Sequence, residues 1–149
     1  MSIKLNVGCG GNIIEGFINT DAEMDITQPL PYANGSVSFI LAEHVIEHVS
    51  GPDGFRFMEE CFRVLKHGGI LRLCVPELAR LDRPKRKDII TNHGHVMVYN
   101  MTNIKDMLTT AGFDRQLIVK TKARNTDGHF KVIGKHLDDL ETLRVEATK

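Results

Sequence analysis

The sequence predicts an α/β fold built on a mostly parallel sheet. Short apolar runs at residues 4–7, 37–42 and 70–75 are typical of strands that are buried on both faces of such a sheet. A glycine-rich turn follows the first run, and an amphipathic helical pattern separates the second from the third. At 149 residues, the chain is long enough to form one domain, residues 1–149, around a single hydrophobic core.

The composition excludes several classes of partner. Nineteen basic side chains balance nineteen acidic ones, so no overall charge attracts nucleic acid or an anionic membrane. No apolar run reaches the roughly 20 residues of a membrane span, and no basic and apolar signal segment begins the chain. The three cysteines lack metal-type spacing and suit a reducing compartment. We therefore expect a cytoplasmic protein with no metal site.

The first predicted strand runs into a turn that contains Gly8 and Gly10. Glycine permits positive φ, and its missing Cβ lets a ligand lie against the backbone at the carboxyl edge of the sheet. The dinucleotide pattern G-x-G-x-x-G fails at Ile13, and residues 12–16 are too few for a crossover helix before the next apolar run. Because no helix N-terminus would support a pyrophosphate, the pattern favours a ligand without phosphates.

The second predicted strand, residues 17–21, ends at Asp21. An acidic residue at this place in α/β folds binds the ribose hydroxyls of an adenosine, although a solvated loop acid is an equally open interpretation. Two prolines then predict an extended segment over residues 22–32. Within it, Asp25 and Ile26 offer a polar edge and an apolar face that suit an adenine ring.

The next helix is predicted to begin at Pro52 and Asp53 and to end at Gly68 and Gly69. Its predicted inward stripe consists of four apolar residues at intervals of three and four: Phe55, Met58, Phe62 and Leu65.

The last third of the chain is predicted from turn residues and periodicity. We expect an exposed basic loop over residues 80–87 and a helix over residues 103–112 that Gly112 caps. A hairpin of residues 116–121 and 130–134 should follow. Residues 137–147 are predicted to form a helical polar tail.

Five runs together resemble the class I S-adenosylmethionine-dependent methyltransferases, in that family's order. They are LNVGCG at residues 5–10, Asp21, LPY at 30–32, EHVIEH at 43–48 and RVLKHGGILR at 63–72. The family usually carries proline where His67 stands. The resemblance implies a Rossmann-like, mostly parallel sheet with an antiparallel C-terminal strand, here lacking the helix after the first strand.

The resemblance also implies a cofactor, S-adenosylmethionine, and the transfer of its methyl group to an acceptor, a small molecule or macromolecule, that the sequence does not identify. By position, Gly8, Cys9 and Gly10 would lie along the amino-acid part of the cofactor, and Asp21 would hold the ribose. The other implied contacts are Asp25 and Ile26 at adenine, and Glu43 and His44 at the sulfonium end. His44 is the candidate general base, and a purely structural role in the pocket stays open for it.

Two other functions remain open at this point. His44, Glu47 and His48 match the H-x-x-E-H pattern of zinc hydrolases, with His93, His95 or Glu77 as a third ligand. Alternatively, the chain binds S-adenosylmethionine without catalysis, or only with a partner. A second copy of the chain, in a homodimer, would then complete the cover that the missing helix normally supplies.

Overall fold

The computed structural model of the chain describes residues 2–77, 82–92, 94–121 and 142–149. Within these residues, six strands form one sheet: β1 (Ile3–Val7), β2 (Ile18–Thr20), β3 (Val37–Glu43), β4 (Leu65–Pro76), β5 (Ile118–Lys120) and β6 (Thr142–Thr148). Three α-helices accompany them in the described segments: α1 (Gly51–Val64), α2 (Arg83–Asn92) and α3 (Met101–Ala111). In the same described segments, 3₁₀ turns cover Ile46–His48 and Arg115–Leu117.

The strand order in the sheet is β2-β1-β3-β4-β6-β5. Strand β1 pairs in parallel with both β2 and β3, β3 pairs in parallel with β4, and β6 runs antiparallel to β4 and β5. The predicted fold, including the antiparallel C-terminal strand, is confirmed. The chain leaves β1 toward one side and later returns on the other side as β3. This arrangement makes the carboxyl end of β1 a switch point, where open α/β sheets bind ligands.

The predicted absence of a helix after β1 is also confirmed, because residues 8–17 contain only turns and irregular backbone. Two asparagine side chains hold this loop. The buried Asn6 amide donates to the Asn12 carbonyl at 2.8 Å and to Asn19 Oδ1 at 2.8 Å. Asn19 in turn accepts from Ile14 N at 2.9 Å and donates to the carbonyls of Ile14 and Phe17. Side-chain amides therefore satisfy backbone groups of the loop that would otherwise lack partners.

Helix α1 begins where predicted but ends earlier. Ser50 is its N-cap and accepts from the backbone N–H of Asp53. The helix ends at Val64, since Leu65 is already extended and pairs with Val37 in the sheet. The prediction that the helix continues to Gly68 and Gly69 was wrong. These glycines lie inside β4, where Gly68 has φ +75° and a Cβ on Gly69 would lie 2.8 Å from the Lys66 carbonyl oxygen.

The inward face of α1 also differs from the predicted stripe. The helix buries Gly54, Phe57, Met58, Cys61 and Val64, whereas Phe55 and Phe62 are only partly buried. One continuous apolar core joins this face to α3 and to residues of β1, β3, β4 and β6. The two helices therefore cover one face of the sheet beneath the switch point.

Helix α3 confirms its prediction, with Ile104 and Leu108 buried and Gly112 in the left-handed region at φ +119°. The predicted basic loop over residues 80–87 was wrong for the residues described, because α2 begins at Arg83. Asp82 Oδ1 accepts from Lys85 N at 3.0 Å, so a side-chain cap starts this exposed helix. None of the helices in the described segments is long and apolar enough to cross a membrane.

The predicted helical tail over residues 137–147 was also wrong where it is described, since residues 142–148 form β6. Leu143, Val145 and Ala147 are buried at every second position, which is the period of a strand. Of the predicted hairpin, β5 lies within residues 116–121 and pairs with β6. Residues 130–134 lie outside the described residues.

We predict that Asn19→Ala lowers the free energy of unfolding by about 1–3 kcal/mol, because it leaves the Asn6 amide and loop backbone groups without partners. Urea unfolding followed by circular dichroism measures this change. Asn12→Ala is the matched control, since Asn12 takes part through its backbone carbonyl, and its change should stay within about 0.5 kcal/mol. Equal stability of the two variants would contradict the assigned role.

Candidate functional site

A cleft of about 300 Å³ opens at the switch point. Its lining residues follow the carboxyl ends of β1, β2 and β3, and they are Gly8, Asp21, Ala22, Met24, Asp25, Ile26, His44, Val45, His48 and Val49. The three strands end level with one another, because Val7 pairs with Thr20 on one side and with Ala42 on the other. The volume is at the small end of the range of about 300–1,000 Å³ that is typical of small-molecule sites.

The structure brings five of the eight predicted cofactor residues together in this cleft: Gly8, Asp21, Asp25, Ile26 and His44. Cys9 and Gly10 continue the turn but are not among the lining residues. Burial, followed by the charges of Asp21 and Glu23, raises the pKa of the Cys9 thiol, so Cys9 stays protonated near neutral pH.

Glu43 is likewise not among the lining residues, since its carboxylate accepts from the Cys74 thiol at 3.6 Å. Sequence reasoning missed four lining residues, Ala22, Met24, Val45 and Val49, and it had considered His48 as a zinc ligand and not as a cofactor contact. The available signal was their position, because each lies within a few residues of a strand end that the sequence had placed at this edge.

The glycine turn packs directly beneath the 3₁₀ turn that follows β3. Gly8 has φ +65°, and a Cβ built on it would lie 2.5 Å from Val45 Cγ2. Cys9 N donates to the Thr20 carbonyl at 2.9 Å, which ties the turn to the end of β2. Glycine is therefore required at position 8 by both its backbone conformation and its neighbour.

The acidic groups give the cleft a negative character. The hydroxyl and then the backbone N–H of Thr27 donate to Asp25 Oδ1, at 2.7 and 2.9 Å, and they hold the pKa of Asp25 below its usual value. Asp21 is exposed at the end of β2. Among the described residues that line the cleft, none is a lysine or an arginine. Such a lining favours a ligand with a positive charge and disfavours one with phosphates.

His44 has the one positive φ (+54°) among the non-glycine residues described. A non-glycine residue in this region costs of order 1–2 kcal/mol, and such strain often marks functional sites. Two contacts hold it: His44 N donates to the Cys74 carbonyl at 2.8 Å, and its Nδ1 lies 3.0 Å from Glu47 Oε1. The Glu47 side chain is only 1% exposed, whereas that of His44 is 32% exposed.

The His44–Glu47 contact assigns the histidine tautomer. The Glu47 carboxylate oxygen serves as the acceptor, so Nδ1 carries the hydrogen and Nε2 keeps its lone pair. His44 also lines the cleft. Its Nε2 is therefore a proton acceptor for a ligand in the cleft, and the buried Glu47 carboxylate orients the ring.

The zinc-hydrolase geometry predicted as an alternative is not formed. Residues 46–48 form a 3₁₀ turn and His44 precedes it, so His44 and His48 do not share one face of an α-helix. His48 Nδ1 instead lies 3.3 Å from the Gly94 carbonyl oxygen. His93, one of the proposed third ligands, lies outside the described residues.

A second cavity, of about 390 Å³, adjoins the cleft at Ile26. Its other lining residues are Thr27, Gln28, Pro29, Arg56, Glu59 and Glu60. Hydrogen bonds from Arg63 lower the pKa of Glu60, which also accepts from Leu30 N at 2.8 Å. Although it is larger, its described lining includes no residue of the glycine turn or of the other strand ends, and Arg56 and Glu60 already have partners in Asp53 and Arg63.

Residues 12–73 match the family model described as a methyltransferase domain. A "Probable S-adenosylmethionine-dependent methyltransferase" of Mycolicibacterium smegmatis is 34% identical over 85 residues, which are 57% of this chain and 32% of that protein. A protein of the same description from Mycobacterium tuberculosis is 33% identical over 84 residues, or 56% of this chain and 29% of that one. The chain thus spans about a third of the length of these relatives.

Solved structures show the same fold at low sequence identity. A SAM-dependent methyltransferase from Archaeoglobus fulgidus has a TM-score of 0.66 at 13% identity, over 99% of this chain and 86% of that one. Another, from Methanosarcina mazei, has a TM-score of 0.65 at 16% identity, over 98% and 91% of the two chains.

We predict that Gly8→Ala lowers the free energy of unfolding by at least about 2 kcal/mol, because it adds both a left-handed non-glycine residue and an overlap with Val45. In a Val45→Ala background, the loss of unfolding free energy caused by Gly8→Ala should fall to about 1–2 kcal/mol, because only the cost of the left-handed backbone conformation remains. Gly10→Ala is the matched control, since φ is +50° there and no heavy atom lies within 4 Å of the added Cβ. A Gly8→Ala cost that Val45→Ala does not reduce would contradict the overlap.

Proposed function

We propose that this chain, whose fold and relatives are those of the class I S-adenosylmethionine-dependent methyltransferases, transfers a methyl group from S-adenosylmethionine to an acceptor. The cleft is the observation that carries this proposal. It brings Gly8, Asp21 and His44 together at a switch point, and the part of its lining that the structure describes contains carboxylates but no lysine or arginine.

The residues present fit this cofactor. S-adenosylmethionine joins an adenosine to an amino acid through a positively charged sulfur, and it carries no phosphate. The Asp21 carboxylate is an acceptor for the ribose diol, and Ile26 beside Asp25 supplies an apolar face and a polar edge for adenine. Gly8 lines the cleft with its backbone, and Val45 fills the space that a Cβ would need. The negative lining suits the sulfonium.

When bound, the cofactor supplies a methyl carbon made reactive by the positive sulfur. The chain's own residues bind and orient. Asp21 anchors the nucleoside end, and the backbone at Gly8 lies along the other end. Holding two reactants in line can contribute several kcal/mol by proximity alone. For an acceptor that must lose a proton, His44 Nε2 receives it, and the imidazolium is then stabilised by Glu47 at Nδ1.

The acceptor is proposed only as a class, a small molecule or a macromolecule other than nucleic acid, since the chain has zero formal net charge. We also propose a homodimer in the cytoplasm. Ile13 and Ile18, on the loop and edge strand beside the switch point, are 63% and 45% exposed, and a second copy would cover them.

We predict that Asp21→Ala weakens the binding of S-adenosylmethionine and of its demethylated product at least tenfold. A charged hydrogen bond of this kind is worth about 1.5–3 kcal/mol, and about 1.4 kcal/mol corresponds to tenfold. Isothermal titration calorimetry measures the affinities, with NAD⁺ as the ligand expected not to bind. Glu23→Ala is the matched control, because Glu23 is an exposed acid two residues away that does not line the cleft.

Equal affinity of Asp21→Ala and the parent would contradict the ribose assignment. Tight NAD⁺ binding by the parent would contradict the cofactor class. Incubation with methyl-labelled S-adenosylmethionine and separated small-molecule and protein fractions then tests catalysis. Transfer of label supports the proposal, and cofactor binding without transfer to any fraction would support the binding-only function instead.

We predict that His44 is protonated on Nδ1 and bare on Nε2 in its neutral form. Nitrogen-15 NMR of the imidazole reports this tautomer directly. His67 is the control: it is exposed on β4 and should show the opposite tautomer, which free histidine prefers in water. A hydrogen on Nε2 of neutral His44 would remove its role as a proton acceptor in the cleft.

A further inference from the structure

A cluster of metal-ligating side chains lies beside the cleft, outside the set of predicted cofactor residues. It consists of Glu47, His48 and His95, which offer ligand atoms within 4.8 Å of one another. Within the described ranges, no other group of three or more histidine, cysteine or acidic side chains comes this close together. His48 alone belongs to both the cluster and the cleft lining.

The carboxylate of Glu47 is the most informative member. It is almost wholly buried, at 1% exposed, and His44 occupies its Oε1. Its Oε2 is buried and has no hydrogen-bond partner in the described part of the chain. A buried oxygen without a partner costs about 1–3 kcal/mol, and more when it is charged. A bound cation would satisfy it.

His48 has the geometry of an oriented ligand. His48 Nδ1 lies 3.3 Å from the Gly94 carbonyl, which can only accept, so Nδ1 carries the hydrogen and Nε2 keeps a lone pair. A histidine that donates its second ring N–H to a carbonyl is the usual arrangement at metal sites. The rings of His48 and His95 lie 4.8 Å apart at 78°, and so do not stack in parallel.

The backbone also brings the third member into place. Val96 N and Met97 N both donate to the Glu47 carbonyl, at 2.8 and 3.2 Å. Segment 94–97 is thereby joined to the 3₁₀ turn Ile46–His48, and His95 is held beside Glu47 independently of any side-chain contact.

We propose that Glu47, His48 and His95 bind a divalent cation of the zinc class through one carboxylate oxygen and two imidazole nitrogens. This donor set suits zinc and its neighbours in the transition series and is unsuited to magnesium or calcium, which prefer oxygen ligands. The cation holds Glu47, and through it the orientation of His44. This proposed site departs from the sequence-based expectation of no metal. It also differs from the H-x-x-E-H hydrolase pattern, because Glu47 is a ligand and His44 is not.

Zinc titration of protein freed of metal by chelation and carrying no histidine tag tests the site. Calorimetry and elemental analysis should show one zinc ion per chain and no comparable binding of magnesium. His95→Gln and His48→Gln should each weaken zinc binding at least about tenfold. Three control variants change residues outside the ligand set and should bind zinc as the parent does. They are His67→Gln, at an exposed histidine, His44→Gln, at the histidine that contacts Glu47, and Cys9→Ser, at a partly exposed thiol.

Thermal unfolding without metal separates ligation from folding. His95→Gln should unfold like the parent in chelator, because His95 is only half-buried, and should lose the upward shift that zinc gives the parent. No saturable zinc binding by the parent, or undiminished binding in both His95→Gln and His48→Gln, would overturn the proposal. Loss of zinc in His44→Gln or Cys9→Ser equal to that in His95→Gln would also overturn this ligand set. None of these readouts depends on methyl transfer, so the methyltransferase proposal can fail without affecting them.

Discussion

The pair of amides on Asn6 and Asn19 is the interaction on which the candidate site depends. Parallel strands are normally joined by a crossover helix, whose own hydrogen bonds satisfy its backbone. Here the connection from β1 to β2 is a loop, and the two side chains supply the missing partners from beneath it. Because the loop is anchored in this way, β1 and β2 end level with each other. Gly8 and Asp21 then lie at one edge of the sheet, beside the residues that follow β3.

A second constraint acts at the end of β3, where His44 adopts a left-handed conformation. The backbone bond to Cys74 and the contact with buried Glu47 compensate for this strain. The turn also places Val45 against Gly8, so the strand end and the glycine turn fix each other's position. The turn after β3 therefore both shapes the cleft and orients His44, and a cation bound to Glu47 would stabilise this turn further.

Much of this arrangement could be predicted from the sequence. The apolar runs of strand length and the glycines after β1 predicted the edge of the sheet at which Gly8, Asp21 and His44 meet. Local patterns misled where tertiary pairing overrides them. Gly68 and Gly69 look like a helix stop but lie where the pairing of β4 with β3 shifts register, and the alternation of Leu143, Val145 and Ala147 was obscured by the charged residues between them. The sequence offered His95 as one of three possible partners of the Glu47 and His48 pattern and could not single it out, since backbone bonds from residues 96 and 97 bring it to Glu47 across a separation of about fifty positions.

The central claim is that the strand ends at Gly8, Asp21 and His44 form the binding site for S-adenosylmethionine. A crystal structure of the chain with the demethylated product, S-adenosylhomocysteine, tests it most directly. We expect the product in the cleft, with both ribose hydroxyls on the Asp21 carboxylate and adenine against Ile26. A cleft left empty at saturating ligand, or the product bound instead in the cavity between Gln28 and Glu59, would contradict it.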